Sequence, residues 1–247
     1  MSMVPETRGT RGRGFTLLTP ENHYASRLPS FPGALVYKLV TPRLIPARFG
    51  QYLLDLPEQA LRTEVKSGYE NFLFGLDGSA RLRWEGESLD LDGGAYAYIP
   101  ASTGFALECE AGAIARLLWI KRRYEAWPGL RAPEARTGNA SEMTAEPTAT
   151  RGLRRRELLG REDPRFDFNM SLMSFNPGAS LPQVEIHDEE HGLYMTAGGG
   201  IYSLGGEAHE VHEGDFIYMA PYCPQGFHAG VGGAEYLLYK DVYRDGF

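Results

Sequence analysis

Short runs of aromatic and aliphatic residues recur along this chain, each broken by glycine, proline or aspartate. Ala80-Arg-Leu-Arg-Trp84 alternates apolar with polar positions, while Ala95-Tyr-Ala-Tyr-Ile99 and Asp215-Phe-Ile-Tyr-Met219 are almost wholly apolar. Successive side chains of a strand point to opposite faces, so alternation marks a half-buried strand and an unbroken apolar run a fully covered one. Asn169–Phe175 and Leu193–Thr196 read the same way, with Pro177-Gly178 as a turn between them. Short strands at even spacing with turn signals predict an all-β protein built as an antiparallel sandwich or barrel. The exception is residues 125–165, where Pro, Ala, Thr, Glu and Arg dominate. That stretch reads as a connector, with at most a short helix near Thr150–Leu159.

The pattern occurs twice. At a shift of 120, Pro57 falls on Pro177, Glu70 on Glu190, Gly78 on Gly198, Gly94 on Gly214 and Tyr98 on Tyr218, and Tyr52-Leu53-Leu54 falls on Leu172-Met173-Ser174. With two residues gained after Tyr218, Gly104-Phe105 matches Gly226-Phe227. A repeat this long is a domain, so the chain divides into a polar, flexible lead (1–14), a first copy (15–124), the connector (125–165) and a second copy (166–247).

The copies differ in chemistry. Glu185, His187 and His191 place three potential metal ligands within seven residues, with Gln225 downstream as a fourth. Glu185 and His187 are two apart and leave the same face of a strand. A helical zincin pattern requires Glu directly after its first His, and Asp188 stands there instead. The matching positions of the first copy are Val65, Ser67, Asn71 and Thr103, so only the second copy carries the set. Two imidazoles, a carboxylate and an amide oxygen suit six-coordinate Mn²⁺, Fe²⁺ or Ni²⁺, with Zn²⁺ a further alternative; a closed structural zinc site is richer in thiolate. Two open positions would accept an amino acid derivative for hydrolysis.

Composition narrows the rest. A net charge of −7 argues against a nucleic-acid surface, and Arg154-Arg155-Arg156 reads as a solvated face of the connector. No apolar stretch is long enough to span a membrane, and no apolar segment marks the first residues as an export signal. Two cysteines, Cys109 and Cys223, form no disulfide framework, which points to a reducing, cytoplasmic setting. Among the remaining candidates, Lys240 ends an apolar strand, where a substrate carboxylate or a snorkelling stem would account for it. Tyr202 faces the cavity or the core. Glu190, beside a ligand, reads as acid, base or partner of a ligand, although its match with Glu70 favours a structural part equally. His209 and His212 read as solvated, and His228 as pointing away from the cavity.

These motifs resemble the cupins. Gly178…Glu185-x-His187-x-x-x-His191-(x6)-Gly198 stands for the first cupin motif, with one His and the Glu exchanged. Gly214-Asp215-Phe216, Ala220-Pro221 and Gln225 stand for the second. With Phe15-Thr-Leu-Leu-Thr-Pro20, Thr137-Gly-Asn-Ala-Ser-Glu142, Ser174–Ser180 and Tyr239-Lys-Asp241, the chain is similar to the bicupin (S)-ureidoglycine aminohydrolase family. The resemblance implies two tandem cupin (jelly-roll-like) β-barrels and Mn²⁺-dependent hydrolysis of (S)-ureidoglycine to (S)-ureidoglycolate and ammonia, in purine and allantoin degradation. It implies Glu185, His187, His191 and Gln225 as ligands, and Lys240 and Tyr202 as substrate contacts, with Tyr236 and Tyr239 also near the last strand. The alternatives are another metal bicupin (a dioxygenase or isomerase) and a non-catalytic small-ligand-binding cupin. The expected partner is a small ureido or amino acid substrate, with no nucleic acid and no membrane; exposed edges suggest a homo-oligomer.

Overall fold

A computed structural model describes residues 6–58, 61–64, 68–109, 113–160 and 162–242. Apart from helical turns at Pro20–Asn22 and Ala140–Glu142, its regular elements are strands, all paired antiparallel. They form two compact units. No helix among the described residues is long and apolar enough to cross a membrane.

One unit comprises Tyr24–Met143 with Asp163–Asp167. Its seven-stranded sheet centres on Tyr69–Gly78, Ala115–Arg123 and Phe49–Leu56, and its four-stranded sheet on Phe105–Glu108 and Ala80–Trp84. Leu82, Phe105, Leu107, Leu117 and Trp119 belong to one buried apolar cluster, which fills the inward face. The other unit comprises residues 1–23, 144–162 and 168–247. Its sheet runs in the order Thr10–Gly12, Phe15–Leu18, Phe216–Met219, His191–Leu204, Gln225–Asp241, Phe168–Phe175, Leu153–Leu159, Glu146–Pro147, with Glu207–His212 paired to His191–Leu204. The two long strands bend at irregularities between Met195 and Ala197 and between Gly198 and Gly200, so they serve both faces of the barrel. Gly198 turns there at φ +66°, as Gly78 does in the other unit, and a Cβ on either would press into a backbone carbonyl.

The division differs from the expected one. Residues 15–23 belong with the second copy: Leu17 pairs with Ile217 in the sheet and joins its core with Phe15. The expected flexible lead is ordered over its described part, since Thr10–Gly12 is a strand. The expected helix near Thr150–Leu159 is instead the strand Leu153–Leu159, because its alternating face is needed to cover the barrel interior. The offset between copies also shifts by strand. Tyr52 lies opposite Trp119 as Ser171 lies opposite Leu238, so Tyr52 matches Ser171 and not Leu172. No two-residue gain follows Tyr218, because Thr103 N→Pro100 O and Cys223 N→Ala220 O close the same turn. The partner of Gln225 in the first copy is therefore Phe105, not Thr103. Val65 and Ser67 lie outside the described residues.

Arg8 anchors the N-terminal segment. Its guanidinium donates to both oxygens of the fully buried Asp215 carboxylate at 2.6 and 3.0 Å, and the His212 backbone donates a third bond at 2.8 Å. Removing the guanidinium leaves a buried carboxylate short of donors, a loss tempered by the partial exposure of Arg8. Arg8→Ala is expected to lower stability by ~1–3 kcal/mol, measured as a lower denaturant midpoint.

Candidate metal centre

The ligand segment meets the last long strand at an isolated bridge. Glu185 N donates to Gln225 O at 2.8 Å and Gln225 N to Glu185 O at 3.0 Å, which fixes the two residues opposite each other. Tyr222 N donates to His187 O at 2.7 Å and pins the segment a second time. His191 opens the strand His191–Leu204 and lies beside Lys240, which lies beside Asn169 on the following strand. Period-two alternation then carries one face inward: His191, then Tyr236, Leu238 and Lys240, then Asn169, Ser171 and Met173. All of these line a cavity of about 780 Å³, together with Glu185, Glu189, Tyr202, Gln225 and Arg155.

Gln225 is where the imidazoles converge. Its Nε2 lies 2.9 Å from His187 Nε2 and 3.2 Å from His191 Nδ1, with its Oε1 3.3 Å from the latter. The two rings are 4.8 Å apart at 69°. His191 Nε2 is buried with no hydrogen-bond partner. Burial, then the charges of His187 and Lys240, hold the His191 pKa down to about 3 against the Gln225 hydrogen bond, so the ring is neutral. Among the described residues no three His, Cys, Asp or Glu side chains converge closely enough to hold an ion by themselves. The fourth donor, the Gln225 amide, is the one that links them. Both imidazoles turn a nitrogen to the Gln225 amide, His191 keeps its other nitrogen buried and unpartnered, and Glu185 lies across the bridge, a donor set that fits a divalent ion.

Glu189 joins the site, and Glu190 leaves it. Glu189 contacts Lys240 Nζ at 3.0 Å and lies 2.8 Å from His187 Nδ1, the latter without the in-line geometry of a hydrogen bond. Desolvation alone would raise the Glu189 pKa; the hydrogen bond and charge of Lys240 outweigh it and leave the carboxylate below its ordinary range. Glu190 is buried on the opposite face, accepting from the Tyr218 hydroxyl at 3.1 Å, and does not line the cavity. Its counterpart Glu70 accepts from Tyr98 at 2.7 Å in the same way. The expected catalytic part for Glu190 is therefore corrected to a structural one: beside an inward His191, the preceding residue of an extended chain points outward. Adjacent acidic residues are chemically alike, and the signals that could separate Glu189 from Glu190 are the match of Glu190 with Glu70 across the repeat and the orientation of His191.

Tyr202 and Tyr236 are both buried and both line the cavity. Tyr239 is fully buried against Phe168 and is no part of the cavity wall. Cys109 and Cys223 are free and buried.

Residues 171–237 match the cupin domain family. The (S)-ureidoglycine aminohydrolase of Arabidopsis thaliana is 34% identical over 97% of this chain and 79% of its own length. That of Escherichia coli K12 is 34% identical over 94% and 89%. The chain belongs to the (S)-ureidoglycine aminohydrolase family. Among solved structures, protein Ylba from E. coli superposes with a TM-score of 0.84 at 32% identity, covering 97% of this chain and 96% of that one. A Pseudomonas aeruginosa protein superposes at 0.89 with 26% identity, over 99% and 94%. The fold is thus the bicupin that the family shares.

Burial first, then the neighbouring Tyr236 phenol and Glu185, push the Tyr202 pKa well above 10, and burial first raises that of Tyr236. A folded-state pKa above the unfolded one means that the stability tied to these phenols is intact below pH 10 and is lost as pH rises past it. The decline in unfolding free energy above pH 10, followed by urea titration at graded pH, is expected to be shallower in Tyr202→Phe and in Tyr236→Phe than in the wild type.

Proposed function

We propose that this protein hydrolyses (S)-ureidoglycine to (S)-ureidoglycolate and ammonia, in purine and allantoin degradation, and that it does so with Mn²⁺. The observation that carries the reading is the convergence of His187, His191 and Gln225, with His191, Gln225 and the neighbouring Lys240 lining the cavity, in a chain whose relatives are named for that reaction. In the reaction the Cα–N bond to the amine breaks, water oxygen takes its place on Cα, and a water proton departs with the amine as ammonia. Glu185, His187, His191 and Gln225 would hold the ion, which supplies Lewis-acid polarisation and orientation when bound.

The chain's own side chains set the rest. Neutral His191 offers a lone pair in place of a charge. Tyr202 and Tyr236, held protonated, present hydroxyl groups and no negative charge to the ureido group. Lys240 gives one donor to Glu189 and keeps others for the substrate. Leu181, Met173 and Leu238 add apolar surface to the cavity wall. The free, buried cysteines accord with a cytoplasmic setting.

The test is ammonia release from freshly generated (S)-ureidoglycine with Mn²⁺. Wild type is expected to exceed the spontaneous rate, and Glu185→Ala and His191→Ala to fall to it. Lys240→Met is expected to cost about tenfold or more in kcat/KM, the scale of a hydrogen bond to a charged group. Release in the manganese-loaded wild type no faster than the spontaneous rate would overturn the reading.

A further inference from the structure

Arg154, Arg155 and Arg156 stand in the middle of the strand Leu153–Leu159, and alternation splits them. Arg154 turns outward and donates to the Ala145 carbonyl at 2.9 Å. Arg156, on the same face, meets Ser174 and Glu235, each at 3.3 Å. Arg155 alone faces inward, in register with Met173 and, one strand further, Tyr236, and it lines the cavity with both. The sequence run is therefore three arginines with two destinations, and only the middle one enters the barrel.

The charges around the cavity leave this arginine available. Lys240 is held by Glu189 at 3.0 Å, so its charge is already balanced by the protein. Glu185 belongs to the ligand set. Arg155 has one ion pair among the described residues, with Glu157 at 3.7 Å, too long for a hydrogen bond. Its side chain retains 29% exposure, so it borders the opening as well as the interior. A guanidinium turned into this cavity with so weak an internal partner is poorly explained by stability, because a partly desolvated charge carries a cost that an apolar residue would avoid. It is well explained by an anionic ligand, whose carboxylate matches the planar fork of arginine in two parallel hydrogen bonds.

We propose that Arg155 is the specificity-determining residue that binds the substrate carboxylate in this cavity. This inference rests on the aminohydrolase reading for the identity of the substrate, and it extends that reading by separating recognition of the acid group from the metal ligands. Lys240, next to His191 in register, stays paired with Glu189 beside the ligand set, while Arg155 selects ureido acids over neutral ureas.

The experiment measures binding without turnover, on the full-length protein. The probes are N-carbamoylglycine, which keeps the ureido and carboxylate groups but lacks the reacting amine, and N-methylurea, which lacks the carboxylate. Calorimetric titration of wild type, Arg155→Met, Arg155→Lys and Lys240→Met is compared. Arg155→Met is expected to weaken N-carbamoylglycine by about 10- to 100-fold and to leave N-methylurea unchanged, with Arg155→Lys recovering part of the loss. Unchanged N-carbamoylglycine affinity in Arg155→Met overturns the proposal, as does an equal loss for both probes or a loss confined to Lys240→Met. Ammonia release is scored separately in the same proteins. An anion effect at Arg155 without ureidoglycine turnover in wild type would retain the binding residue and remove the aminohydrolase reading.

Discussion

Every functional assignment in this protein depends on the two-residue period of a strand held in register by its neighbours. In the second barrel, the bonds that tie His191 to Lys240 and Lys240 to Asn169 fix which member of each adjacent pair turns inward. A slip of one residue on any of the three strands would exchange the polar lining for the apolar outer layer. The bridge between Glu185 and Gln225 extends the same constraint to the ligand segment, which has no long ladder of its own. The site is thus a consequence of register, and the buried Asp215–Arg8 pair supports it from outside by closing the N-terminal strands onto Phe216–Met219.

The two units show what the scaffold does with and without the chemistry. Asn71 occupies the place of His191 and accepts from Trp119 Nε1 at 3.0 Å, a satisfied amide where the other barrel keeps an open imidazole nitrogen. Lys121 faces Asn71 across the sheet as Lys240 faces His191, yet its ammonium lies over the Tyr69 and Trp119 rings at 4.9 and 5.2 Å. Leu82, Leu117 and Phe105 fill the places of Tyr202, Tyr236 and Gln225 and pack into one apolar cluster. Filling the interior with well-packed apolar groups favours stability, and leaving polar groups in it favours binding. The Glu70–Tyr98 and Glu190–Tyr218 pairs persist in both units because they belong to the scaffold.

Much of this was legible in the residues themselves. Alternation and punctuating Gly and Pro gave the strands, the 120-residue correspondence of Glu70 with Glu190 and Tyr98 with Tyr218 gave the two copies, and the clustering of Glu185, His187 and His191 gave the half that carries the candidate centre. These are local or periodic signals, and local signals are written in the order of the chain. The correspondence of Glu190 with Glu70 already hinted at its structural part.

What the tertiary structure alone decided is direction and partnership. Glu189 against Glu190, and Arg155 against Arg154 and Arg156, are neighbours with identical chemistry, and no composition or spacing says which of them faces the interior. The N-terminal strands joining the second barrel, and the strand in place of a connector helix at Leu153–Leu159, follow from hydrogen bonds between segments more than a hundred residues apart or from the need to cover an inward face. A sequence specifies which side chains are available. Only the paired sheet, by fixing register, specifies which of them share a cavity.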